Sequence, residues 1–141
     1  MKVTFVLLVF ISCVNMIYSR PNIFKFKDAK RIHAECQANP ESHVNEYLEQ
    51  LQELEPIVVP NMARHTLCTS IKAGLQYENG DIAVERLRSD LEEVSNDEAK
   101  IKEIVDTCGV RAPGSPEDAA MAFGKCLCSH WSQHALCVCS T

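Results

Sequence analysis

The chain is short of the signatures that mark an enzyme. Its 141 residues hold no Gly-x-Ser-x-Gly elbow and no His-Glu-x-x-His pair. Nor do they hold the His-Asp pair, calcium loop and adjacent cysteines of a secreted phospholipase. The chain is therefore not expected to be an enzyme. Strand-like alternation, low-complexity stretches and internal repeats are also missing, which argues against sheet, disordered and solenoid architectures. No Asn-x-Ser/Thr sequon occurs, so no N-glycan is expected. There is no excess of positive charge. The formal net charge is −5, which argues against nucleic acid as a partner.

Long apolar runs are confined to the beginning. Lys2 precedes an almost wholly apolar run from Val3 to Val14. That run suits the h-region of a signal peptide and falls short of the roughly 20 residues of a membrane span. Cleavage is expected after Ser19, with Ile17 at the −3 position. This leaves residues 20–141 as a single domain, soluble, secreted and extracellular. Cys13 leaves with the leader, so an odd number of the eight cysteines stays. An oxidising compartment makes disulfides their default fate.

What fills the rest of the chain is helical periodicity. Ile32, His33 and Cys36 lie on the stripe of a first helix ended by Asn39-Pro40. Val44, Tyr47, Leu48, Leu51 and Leu54 form a second stripe, stopped by Pro56. Ile57, Val58 and Val59 cross over to a third helix carrying Leu67, Cys68, Ile71 and Leu75. The Asn79-Gly80-Asp81 turn follows, with Asp81 as the expected N-cap of a fourth helix bearing Val84, Leu87, Leu91 and Val94. Ser95 and Glu98 have capping-box spacing for a fifth, with Ile101, Ile104, Val105 and Cys108 on one face and Gly109 at its end. Ser115-Pro116-Glu117-Asp118 is a complete start signal for a sixth, running through Phe123, Cys126 and Leu127 toward Trp131. The predicted fold is all-α: six short helices cross-linked by disulfides around an apolar cavity.

Cys36, Cys68, Cys108 and Cys126 are each in phase with an apolar stripe, so their bridges would join helix to helix. Four cysteines allow three pairings. Each bridge is worth roughly 3–4 kcal/mol by loop closure, a large share of a typical stability of about 5–15 kcal/mol. That surplus lets a small domain keep a cavity in its core.

The chain resembles the insect odorant-binding proteins, also called pheromone and general odorant-binding proteins. The likeness rests on the leader, the cysteine spacings, the Gly74-Leu75-Gln76-Tyr77-Glu78-Asn79-Gly80-Asp81 turn, and the run from Glu117-Asp118-Ala119-Ala120 to Lys125-Cys126. That family commonly has six cysteines, paired first to third, second to fifth and fourth to sixth. The positions of its second and fifth cysteines are Arg64 and Glu117 here. Both ends of one bridge are absent together, as in the family's reduced-cysteine branch. The resemblance implies bridges Cys36–Cys68 and Cys108–Cys126, and opposite charges at Arg64 and Glu117 that can pair.

The C-terminal Cys126, Cys128, His130, His134, Cys137 and Cys139 offer six soft-metal ligands. Export and the lack of zinc-finger spacing weigh against a metal, and no metal or cofactor is expected. Cys126 and Cys128 are about 200° apart around a helix of roughly 3.6 residues per turn. With Cys126 facing the core, Cys128 would clip the tail through Cys137 or Cys139. Cys128 is also the alternative partner of Cys108. The cysteine left over is one that can link two protomers.

The function this implies is a carrier of small hydrophobic ligands such as odorants, pheromones or fatty acids. The candidate lining is Leu51, Leu54, Ile71, Leu75, Leu87, Leu91, Val105, Phe123, Leu127 and Trp131, with Tyr77 or His65 as a hydrogen-bonding group. All of these are equally suited to packed core. The expected partners are a small hydrophobic molecule and a membrane receptor. Five histidines (His33, His43, His65, His130 and His134) are candidates for pH-dependent release. The competing readings are a protein-binding or toxin-like secreted factor, and metal binding through the C-terminal cluster. The plant and saposin lipid-transfer types do not fit. The first needs an adjacent Cys-Cys pair, the second six paired cysteines at other spacings.

Overall fold

The computed structural model describes residues 29–46, 48 and 58–131. The leader, most of the expected second helix and the tail from 132 lie outside the described residues. Five helices stand within them: α1 (Ala29–Ala38), α2 (Met62–Lys72), α3 (Val84–Val94), α4 (Glu98–Cys108) and α5 (Pro116–Trp131). The count is five rather than six because the stretch carrying Leu51 and Leu54 is not described. Val44, expected on that second helix, is buried in the non-helical stretch before it.

Four of the five helices, α1, α3, α4 and α5, bury the face that their apolar spacing dictates. Ile32 and Cys36 are the buried residues of α1. Leu87 and Leu91, one turn apart on α3, are completely buried, while Val94 at its end is exposed. On α4, Ile101, Ile104, Val105 and Cys108 turn inward together. Ala119, Ala120, Phe123 and Leu127 do the same on α5. Leu75, Leu87, Leu91, Ile101, Ile104, Val105, Phe123 and Leu127 meet in one continuous core. Short helices are marginal alone in water, so this shared burial is what holds them. The α2 helix departs from expectation. His65 is its one fully buried residue, and Leu67, Cys68 and Ile71 are half-buried.

Two helix starts differ from the sequence reading. Helix α3 begins at Val84 after Ala83, not at an Asp81 cap. The Asp81 side chain is taken up by the turn, where it accepts from Asn79 Nδ2 at 2.8 Å and faces Arg111 Nε at 3.6 Å. Helix α4 is capped by Asp97, whose carboxylate accepts from Lys100 N at 3.0 Å. Ser95 serves one step earlier, accepting from Asp97 N at 3.1 Å. At α5 the reciprocal box is present. Asp118 N donates to Ser115 Oγ at 3.1 Å, and Ser115 N donates to the Asp118 carboxylate at 3.0 Å.

Between α2 and α3, Gln76 and Ile82 form an isolated antiparallel bridge around a tight turn. Gly80 sits there at φ +87°, a conformation that favours glycine. A Cβ at this position would lie 2.9 Å from the Pro116 Cα, so the turn packs directly on the start of α5.

Candidate functional site

Two disulfides frame the molecule. Cys36 of α1 is bonded to Cys68 of α2, with Cα atoms 6.0 Å apart. Cys108, the last residue of α4, is bonded to Cys126 of α5 at a Cα separation of 5.6 Å. The first bridge ties α1 to α2 and the second ties α4 to α5, while α2 packs most extensively on α5. The four chain segments thus form one connected frame around the core.

A cleft of about 440 Å³ opens on one side of this frame. Its floor is Leu67, Cys68 and Ile71 of α2, and its rim carries Asn39, Glu41, Ser42, Arg64, Lys72 and Glu117. The stretch just after α1 that forms one wall is tied down by hydrogen bonds. Ser42, itself buried, donates from Oγ to Cys36 O at 2.7 Å. Gln37 exchanges two hydrogen bonds with the Val44 backbone, at 3.1 and 2.8 Å. Behind the wall, His65 Nδ1 is 2.8 Å from Ser42 O. A carbonyl can only accept, so Nδ1 carries the proton. His65 Nε2 lies 3.1 Å from His33 Nδ1, and the two rings meet edge to face. Both nitrogens of His65 are therefore engaged within the fold.

Charge at the rim is arranged in pairs. Lys72 Nζ is 2.8 Å from the Glu35 carboxylate. That hydrogen bond, with a second from Arg31, holds the Glu35 carboxyl below its usual range. Arg64 Nε stands 4.0 Å from Glu117 Oε1, at the outer limit of an ion pair. Glu117 and Asp118 lie in the first turn of α5, where negative charge is favoured by the helix dipole.

The expected lining residues fall into separate places. Leu75, Leu87, Leu91, Val105, Phe123 and Leu127 are together in the buried core. Ile71 is instead on the cleft floor. Tyr77 is 61% exposed in the turn between α2 and α3. Leu51, Leu54 and the Trp131 side chain lie outside the described residues, as do Cys137 and Cys139. Glu41, Ser42 and Lys72 on the rim are not legible in the sequence. They are polar residues on different segments, and no local pattern marks them as neighbours.

The described residues form an all-helical, disulfide-framed domain with an apolar core, and no helix among them is long and apolar enough to cross a membrane. The model of the PBP/GOBP family matches residues 25–130, most of the chain, and the protein belongs to that family, the insect odorant-binding proteins. The family is one of binding proteins for small hydrophobic ligands. No curated protein and no solved structure gives a significant match.

Proposed function

We propose that the protein is a secreted carrier that binds and solubilises small hydrophobic molecules, of the reduced-cysteine type. The observation that carries this reading is the family match over residues 25–130 on a frame of two interhelical disulfides. The bridges hold short helices together with energy to spare, so core packing does not have to be complete. Leu75, Leu87, Leu91, Val105, Phe123 and Leu127 supply a continuous apolar interior, and Leu67 and Ile71 an apolar cleft floor. Leu51, Leu54 and Trp131 complete the proposed lining. Arg64 and Glu117 stand where a third bridge would join α2 to α5, and their loose pairing leaves that joint able to open for ligand.

The test is displacement of a hydrophobic fluorescent probe from the purified protein, with mass spectrometry of whatever it retains. Saturable probe binding, displaced by apolar competitors, is the expected result. Binding is also expected to change the emission of Trp131, the chain's only tryptophan. A protein that binds no probe and retains no apolar compound is not a carrier. The protein-binding factor then becomes the better reading.

A further inference from the structure

We propose that His33 and His65 form a binding site for a divalent transition-metal ion of the zinc and copper kind, built across α1 and α2. His65 Nε2 and His33 Nδ1 lie 3.1 Å apart, and the two ring centres 4.9 Å apart. Metal–nitrogen bonds of about 2.0–2.1 Å separate neighbouring imidazole donors by roughly 2.9–3.4 Å, so the two nitrogens already stand at chelating distance. The ring centres show how the rings are aimed. At this nitrogen separation, rings that both point at one ion have centres about 4.8 Å apart, whereas rings in a straight N–H···N hydrogen bond have centres about 5.4 Å apart. The observed 4.9 Å matches the inclined arrangement.

The surroundings prepare both donors. His65 is buried and donates from Nδ1 to Ser42 O at 2.8 Å, which fixes its tautomer and turns the Nε2 lone pair toward His33. A backbone carbonyl behind the other ring nitrogen is a usual outer partner of a metal-bound histidine. His33 is half-buried, so an ion can enter from its side. Cys36 follows His33 by three residues on α1, and Cys68 follows His65 by three on α2. Residues three apart share a helix face. The Cys36–Cys68 bridge, with its Cα atoms 6.0 Å apart, thus sets the spacing of the two helices one turn away from the histidines.

Binding asks only for a change of tautomer. In the metal-free pair, His33 donates from Nδ1 to His65 Nε2. With an ion bound, His33 carries its single proton on Nε2, exchanged through solvent, and its Nδ1 lone pair joins that of His65 Nε2 on the metal. Among the described residues no third histidine, cysteine or carboxylate meets the pair, so water completes the coordination. Two imidazoles suit zinc, copper and nickel, and not the hard cations that prefer oxygen. The ion would replace one hydrogen bond with a clamp between α1 and α2, directly behind the Ser42 wall of the cleft. None of this depends on the carrier reading.

The test uses the full chain with its disulfides intact and no affinity tag. Cys128, Cys137 and Cys139 are changed to serine, and His130 and His134 to glutamine, so that the C-terminal donors cannot contribute. Protein stripped of metal by a chelator is titrated with Zn²⁺ and followed by calorimetry and by ¹⁵N NMR of the histidine rings. One equivalent should bind, shift the His65 Nε2 and His33 Nδ1 signals, and resist displacement by millimolar Mg²⁺ or Ca²⁺. His33→Ala should weaken binding at least tenfold, and His43→Gln should leave it unchanged. Circular dichroism checks that each variant is folded. Absence of one-equivalent binding, undiminished affinity in folded His33→Ala, or binding that shifts neither ring nitrogen overturns the site. The ring-nitrogen signals are read with both histidines in place, so they decide the matter even where a variant fails to fold.

Discussion

The guanidinium of Arg64 on α2 stands 4.0 Å from the carboxylate of Glu117 on α5. The two side chains are 55% and 33% exposed, so their attraction is screened and small. Yet they join the two helices that pack most extensively on each other. A covalent link at the same place should stabilise far more than the ion pair. In Arg64→Cys/Glu117→Cys we expect a third disulfide under oxidising conditions, with unfolding free energy higher by up to about 3 kcal/mol. Thiol counting and a denaturant midpoint check it. Two thiols that stay free would show that these positions are not the ends of a missing bridge.

The start of α5 predicts an acid response. The Ser115 hydroxyl donates to the Asp118 carboxylate at 2.8 Å, and the Ser115 backbone N–H donates to it as well. These bonds hold the Asp118 carboxyl below its ordinary value, as those from Lys72 and Arg31 do for Glu35. A depressed carboxylate stabilises the fold fully above its unfolded value, near roughly 4. That contribution is lost as pH falls through the lower folded value. The melting temperature should therefore be insensitive to these two groups near neutrality and decline below about pH 4. Ser115→Ala should cost about 1 kcal/mol at neutral pH and flatten the acid limb. An unchanged acid limb would dismiss the Asp118 contribution.

Two glycines separate strain from crowding. Gly74 and Gly80 both have positive φ, +76° and +87°. A Cβ on Gly74 would find its nearest neighbour 4.0 Å away, whereas one on Gly80 would press on the Pro116 backbone at 2.9 Å. Each alanine substitution carries backbone strain of about 1–3 kcal/mol. Gly80→Ala should be the more damaging, and should also disturb the first turn of α5. Urea midpoints for the two variants decide the order, and equal losses would mean that the contact with Pro116 is relieved cheaply.

The core makes a simpler contrast. Leu91 is completely buried in the shared core cluster, and Val110 is 72% exposed. Leu91→Ala should cost about 2–5 kcal/mol and Val110→Ala within about 0.5 kcal/mol. A small loss at Leu91, together with retained probe binding, would indicate an interior already slack around that side chain.

What could be read from the chain alone was what depends on near neighbours. Leu87 and Leu91, or Ile101, Ile104, Val105 and Cys108, reveal their helices because a 3.6-residue repeat is a local property. The Ser115–Asp118 box is complete within four residues, and the structure forms it there. Where two local signals competed, tertiary structure chose. Asp97 rather than Ser95 caps α4, and Asp81 is drawn into the turn by Asn79 and Arg111 instead of capping α3. Burial was decided the same way. His65 is enclosed because its ring meets Ser42 and His33 from segments far away in the chain, whereas Tyr77 is exposed in its turn. The cleft depends wholly on that level. Leu67 and Ile71 face Glu41, Ser42 and Glu117 only after the Cys36–Cys68 bridge and the α2–α5 contact have set the helices side by side. Periodicity specifies which face of a helix turns inward, but the distance between faces is set by packing, and packing has no local signature.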